Sequence, residues 1–134
     1  MRFTGYAALF DVRDRGGDTI RAGAFAGITA PLPLLWLHDP ARRIGVIERL
    51  WADQRGLFVE GRITGGGGTA RNVAAMLGCG SITGLSFGYR VRDYITGPLA
   101  REGATTRDLM RLDVSEISLV PQPMQPGARV VSVG

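Results

Sequence analysis

The sequence predicts a mainly β (α+β) domain, about seven strands curled into a closed or half-closed barrel with one or two helices. Three observations lead there. Apolar residues recur at every second position in short runs, most cleanly at Leu85, Phe87, Tyr89 and Val91, the period of a half-buried strand. Turn-forming clusters such as Asp53-Gln54-Arg55-Gly56 separate the runs. Only residues 70–77 combine helix-forming Ala, Met and Leu at length. With so many strands in so short a chain, closing the sheet is the economical way to remove exposed edges.

Taken in order, residues 2–10 read as a strand through Phe3, Tyr6, Ala8 and Leu9, broken at Asp11. A polar, glycine-containing loop follows, then a short strand or turn at Ile20 and a helical turn at Ala24-Phe25-Ala26 before Gly27. Residues 31–38 are apolar on both parities and closed by Asp39-Pro40, as a buried strand ending at His38 would be. Residues 43–52 and 56–64 make a hairpin. After the glycine run 65–68, Thr69 offers an N-cap, and Gly78 and Gly80 end the helix. The strand of Ser86 comes next, then a loop over 96–106, a strand over 109–120, and a proline-punctuated tail with a last short strand.

Composition bounds the function. A chain of 134 residues, 45% hydrophobic, suits one domain over residues 1–134 with a core of its own. Cys79 stands alone, which excludes an internal disulfide framework and fits a reducing compartment. No apolar run reaches membrane-spanning length, and Asp11 arrives too early for a signal peptide. The chain is expected to be soluble and cytoplasmic when synthesised. Its net charge of +4 is all arginine, scattered among carboxylates, a mixed solvated surface rather than a nucleic-acid footprint. One histidine and one cysteine cannot build a conventional zinc site, and the glycine run lacks the lysine of a phosphate loop. No metal and no cofactor are expected.

The candidate chemistry centres on Ser86 in Gly84-Leu85-Ser86-Phe87-Gly88. Strand alternation puts Ser86 on a face with Gly84, Gly88 and Arg90, bare enough for another backbone to lie against it. A serine needs a base and an orienting third group to act as a nucleophile, and His38 is the single histidine. The segment matches G-x-S-x-G, yet here a helix precedes and a strand follows, and no histidine comes after Ser86. That excludes the α/β-hydrolase elbow. Asp53, an acid available between His38 and Ser86, sits in a hairpin turn, a poor place for an orienting carboxylate. The remaining order is histidine, serine, acid. Alternation places Glu116 among Leu112, Val114 and Val120, where a carboxylate needs a partner. Asp113, on the opposite face, is the other candidate. Backbone N–H groups near Arg90 or in the loop before Leu109 are candidate oxyanion donors.

Several blocks in order carry a resemblance: GYAALFD, GGDTIRAGAF, PLLWLHDP, RIGVIERL, RGLFVEGRI, ITGLSFGYRV and LDVSEISLV. Together they resemble the prohead (procapsid maturation) proteases of tailed bacteriophages, serine peptidases related to herpesvirus assemblin; gene transfer agents carry similar proteases. The resemblance implies an assemblin-like fold and a serine endopeptidase with His38 as base, Ser86 as nucleophile and Glu116 as third member. The herpesvirus enzymes place a second histidine there, and this chain has none. It also implies the major capsid protein or a scaffold polypeptide as substrate, a site of action inside the assembling procapsid, and a homodimer by analogy with the herpesvirus enzymes. Two other classes stay open: a catalytically silent assembly or scaffold protein of the same fold, and a small arginine-rich nucleic-acid-binding barrel.

Overall fold

Eight strands and one helix make up the described chain. The computed structural model describes residues 1–101 and 104–134, without the side chains of 98–101 and 104. The elements are β1 (Arg2–Leu9), β2 (Asp18–Ile20), β3 (Leu32–Trp36), β4 (Asp39–Ala52), β5 (Gly56–Ile63), α1 (Gly68–Gly78), β6 (Gly84–Arg101), β7 (Ala104–Val120) and β8 (Val130–Val133). They form one sheet in the order β2-β7-β3-β4-β5-β1-β8, with β6 running antiparallel along β7. β7 organises the sheet. Its first half takes β2 in parallel (Asp18 opposite Arg107) and its last residues take β3 in parallel (Leu34 opposite Ile117). Arg107 fixes the first junction by gripping Asp18 with two bonds of 2.9 Å.

The sheet curls because residues 128–130 stitch β1 to the start of β6. Tyr6 N–H donates to Arg129 O (3.1 Å), Leu85 N–H to Ala128 O (2.9 Å), and Val130 N–H to Thr83 O (2.8 Å). The result is a half-barrel. Phe3, Leu34, Ile47, Leu57, Leu85, Ile117 and Leu119 fill its interior and are fully buried. Each such side chain contributes ~1.5–3 kcal/mol on leaving water.

Helix α1 packs Ala70, Val73 and Leu77, one stripe at helical spacing, onto this core. Its cap differs from the expectation. The helix begins one residue before Thr69, the N-cap is Gly67 in extended geometry, and no side chain caps it. At the other end Gly80, at φ 78°, lets the chain turn back, with Gly80 N–H on Leu77 O and Ser81 N–H on Met76 O. Cys79 is exposed at the C-cap.

Three corrections concern the strands around the site. The loop expected over 96–106 is strand: β6 and β7 remain paired there, Ile95 opposite Asp108 and Gly97 opposite Thr106, and only residues 102 and 103 lie outside the described residues. Small residues suggested a loop, but a regular partner strand and β-branched Ile95, Thr96, Thr105 and Thr106 favour the ladder. The strand expected to end at His38 ends at Trp36. Trp36 pairs with Asp39 across a two-residue turn, with Leu37 at φ 56° and His38 at φ 60°. Such a left-handed pair matches the strand twist but normally takes Asn or Gly, so the sequence carries no sign of it.

The third correction is a β-bulge. Gly88 pairs with Glu116, but Tyr89 pairs with Val114, leaving Ser115 as the extra residue on β7. Alternation therefore inverts at Ser115. Leu112 and Ile117 both enter the core although they stand an odd step of five positions apart. Glu116 does not share a face with Leu112 and Val114, as alternation alone predicts. It stands opposite Gly88, with Ser118 opposite Ser86 and Val120 opposite Gly84. Tyr89, on β6, is not inverted by the bulge: it stays on the face of Phe87, ring centroids 4.8 Å apart, and is 38% exposed.

Gly67 has nothing within 4 Å of where a Cβ would stand, its φ of −74° suits any residue, and the first helical turn has no acidic side chain. Gly67→Asp adds a cap, a charge matched to the helix dipole and a stiffer unfolded chain, and is predicted to stabilise the fold by ~1 kcal/mol. Denaturant unfolding of the two proteins measures it; an unchanged or lower midpoint contradicts the cap assignment.

Candidate active site

The β6–β7 ladder fixes two of the three candidate side chains. Directly opposed residues of an antiparallel pair share a face, so Ser86, Gly88, Glu116 and Ser118 line one side of the hairpin. The third arrives from β3, the other neighbour of β7. Leu37 N–H donates to Leu119 O (3.2 Å) and His38 N–H to Ser118 Oγ (3.0 Å), which folds the β3–β4 turn over the end of β7.

There the His38 ring meets Glu116, Nδ1 to Oε1 at 2.5 Å. The other carboxylate oxygen accepts the Ser118 hydroxyl at 2.7 Å. An ionised carboxylate only accepts, so Nδ1 carries the proton and Nε2 presents its lone pair. Bonds thus close a ring: His38 backbone to Ser118, Ser118 to Glu116, Glu116 to the His38 imidazole. Glu116 is 8% exposed. Burying a carboxylate costs several kcal/mol unless it is partnered, and these charge-assisted bonds supply the partners. Ser118 was not singled out in the sequence, although it stands two residues beyond Glu116 on the same strand, where a second polar side chain on one face is a legible signal.

Glycine makes the pair sterically feasible. A Cβ on Gly88 would overlap Glu116 Oε1 and stand 3.0 Å from its Cδ. A Cβ on Gly84 would overlap Val120 O and stand 2.9 Å from Pro123 Cδ. Beside the two glycines, the bare face that they suggested is occupied by the protein's own Glu116 and Pro123.

Ser86 is 8% exposed, and its hydroxyl has no hydrogen-bond partner among the described residues. It lines two cavities together with His38. One, of about 110 Å³, extends past Leu85, Phe87 and Tyr89 to Ile20 and Asp14. The other, a wider cleft of about 450 Å³, is bounded by Leu37, Val120, Pro121, Gln122 and Met124. Gln125 holds the shared 121–125 wall against β1, accepting from Leu9 N–H (2.8 Å) and donating to Leu9 O (2.9 Å) and Val12 O (3.3 Å).

The other acids lie elsewhere. Asp113 is exposed and ion-paired with Arg92 at 2.8 Å. Asp53 closes its hairpin turn, accepting from Tyr6 Oη (2.6 Å) and from Arg55 and Gly56 N–H. The loop expected before Leu109 is strand, so no loop donor stands there. Among the described residues, no group of three or more His, Cys, Asp or Glu side chains could hold a metal ion, and no helix is long and apolar enough to cross a membrane.

A curled half-barrel with this connectivity is the fold of the herpesvirus proteases. A Kaposi's sarcoma-associated herpesvirus protease bound to a hexapeptide phosphonate inhibitor superposes with TM-score 0.64 at 16% identity, over 97% of this chain and 63% of that one. A second structure of that protease, with an allosteric inhibitor, gives 0.54 at 15% identity over 97% and 73%. The sequence narrows the class: the family model of the caudovirus prohead serine protease matches residues 1–133, and the chain belongs to that family. The prohead protease of Enterobacteria phage HK97 is 33% identical over 106 residues, 74% of this chain and 47% of the phage protein. The chain thus spans about half the length of that curated relative.

Two predictions follow from the His38–Glu116 contact. The hydrogen bond that His38 donates to Glu116 raises the His38 pKa above its ordinary 6.5, against partial desolvation, and the carboxylate's charge adds to the rise. Its stabilising contribution is full below 6.5 and is lost as pH climbs through the raised folded-state value. The His38 ring resonances are predicted to titrate above 6.5 by NMR, and Glu116→Gln to bring the midpoint down; a midpoint at or below 6.5 in the parent rejects the pairing. Gly88→Ala should have the same effect without touching either partner, because the methyl group pushes the carboxylate off the ring. An unshifted midpoint in a folded Gly88→Ala protein would show that the carboxylate has space to spare.

Proposed function

We propose that this chain is a serine endopeptidase with Ser86 as nucleophile, His38 as general base and Glu116 as orienting acid. It would cut the N-terminal segment of a capsid protein, a scaffold polypeptide, or both, inside the procapsid of a phage or gene transfer agent particle. The observation that carries this reading is the 2.5 Å contact of His38 Nδ1 with Glu116, with His38 and Ser86 lining the same cavities. Family membership supports the reaction class, and the name of the HK97 relative supports the setting.

The chemistry follows from the tautomer. His38 Nε2 takes the Ser86 proton as Oγ bonds to the scissile carbonyl carbon. The same nitrogen then donates that proton to the departing amine as the C–N bond breaks, leaving an acyl ester on Ser86. Water attacks the ester by the same exchange and frees Oγ. Glu116 remains ionised throughout and stabilises the imidazolium of each step. In place of the donors expected from the sequence, we assign the oxyanion to backbone N–H groups of the 121–125 wall. Gln122 and Met124 line the cleft, and their N–H groups have no acceptor among the described residues. Such preorganised donors supply ~3–4 kcal/mol to the transition state.

Raised basicity sets the pH dependence: neutral imidazole accumulates only above the elevated His38 pKa, so kcat/KM should rise on the alkaline side of 6.5. The decisive test is co-expression with the capsid protein of the same particle. Shortened capsid protein is expected with the parent chain, and full-length protein with Ser86→Ala or His38→Ala. Glu116→Gln should slow cutting ~10²–10⁴-fold, whereas Asp113→Asn should leave it near normal. Full-length capsid protein in every case would favour a non-catalytic assembly role.

A further inference from the structure

The smaller cavity beside Ser86 has a chemistry of its own. Its walls are apolar near the nucleophile (Leu85, Phe87, Ile20, Met124), and a single carboxylate, Asp14, lines it. Asp14 Oδ1 is committed to the turn, accepting from Gly16 N–H (2.8 Å) and Asp18 N–H (3.0 Å). No arginine pairs with Asp14 among the described residues. The neighbouring acid, Asp18, is neutralised by the two bonds of Arg107, so the uncompensated charge here belongs to Asp14. Tyr89, on the same wall, reports the field: burial raises its pKa, and the Asp18 and Asp14 carboxylates raise it further against Arg107.

The two cavities differ in shape. His38 lines both, so the imidazole alone does not assign them; the narrower one is the more enclosed and lies directly beside Ser86, as the side chain next to a scissile carbonyl requires, whereas the wider cleft bounded by Leu37 and Pro121 is the more open. From this arrangement we propose that the cavity running from Ser86 to Asp14 receives the side chain of the residue preceding the scissile bond, and that Asp14 selects lysine or arginine there. Apolar walls accommodate a methylene stem, and the carboxylate accepts the cationic head. An acidic side chain would meet an unpaired negative charge, and a small neutral one would leave Asp14 facing the cavity unpartnered.

The inference rests on the peptidase reading, and one experiment separates the two. Three peptidyl diphenyl phosphonates, identical except for lysine, alanine or glutamate at the position next to phosphorus, are reacted with the full chain, and the rate of Ser86 modification is followed by intact mass. Phosphorus bonds to Ser86 Oγ, phenoxide leaves, and the Oγ proton passes through His38 to the phenoxide. The expected order is lysine, alanine, glutamate. Asp14→Asn keeps Oδ1 for the turn and should lower the lysine-to-alanine ratio ~10–100-fold, whereas Asp14→Glu should retain a lysine preference. Alanine reacting as fast as lysine, or an unchanged ratio in Asp14→Asn, overturns the pocket assignment and leaves the peptidase reading intact. No modification of Ser86 by any of the three overturns both.

Discussion

Everything at this site depends on housing a carboxylate inside a sheet, and the structure meets the condition by emptying the position across from it. Glu116 can reach His38 because its cross-strand partner, Gly88, has no side chain. It can remain ionised because the imidazole and the Ser118 hydroxyl occupy its two oxygens. The bulge at Ser115 is the third part of the device. Without the extra residue, the alternation that sends Leu112 inward would send Glu116 with it, and Ile117 would face the site.

Some of this was legible in the sequence and some was not, for definite reasons. Strand periodicity, the helix stripe and the 53–56 turn were readable because each is written in neighbouring residues. His38, Ser86 and Glu116 were readable as types: one histidine, one serine between glycines, one acid at a costly position. What the glycines are for was misread, since a bare face looks the same whether a substrate or the protein's own carboxylate fills it. The bulge was invisible because Ser115 differs in nothing from a paired strand residue. So was the turn at Leu37-His38, whose left-handed backbone goes against the preference of Leu37 and is uncommon for any non-glycine residue.

That turn has an energetic meaning. A left-handed non-glycine residue costs on the order of 1–3 kcal/mol, and such a conformation persists only where the surroundings dictate it. Here Leu119 O, Ser118 Oγ and Glu116 Oε1 hold three separate atoms of the two-residue turn. The imidazole is thus positioned by its backbone as well as by its ring. Half exposed at the tip of a hairpin, it can exchange protons with groups in both adjoining cavities, while the carboxylate behind it is sealed. The long β6–β7 hairpin, anchored at its far end by Arg107 on Asp18, is the rigid element against which this tip is set.

The account stands on the proximity of the His38 imidazole to the side chain at position 86, and a thiol placed there reads that proximity without substrate, partner or assembly. In a Cys79→Ser background, which removes the one native thiol, Ser86→Cys would carry a single cysteine, and its alkylation rate against pH gives the thiol pKa. An adjacent imidazolium should hold that pKa well below the usual ~8.5, and His38→Ala should restore it. A thiol titrating at the ordinary value in the folded protein, indifferent to His38, would contradict the central claim.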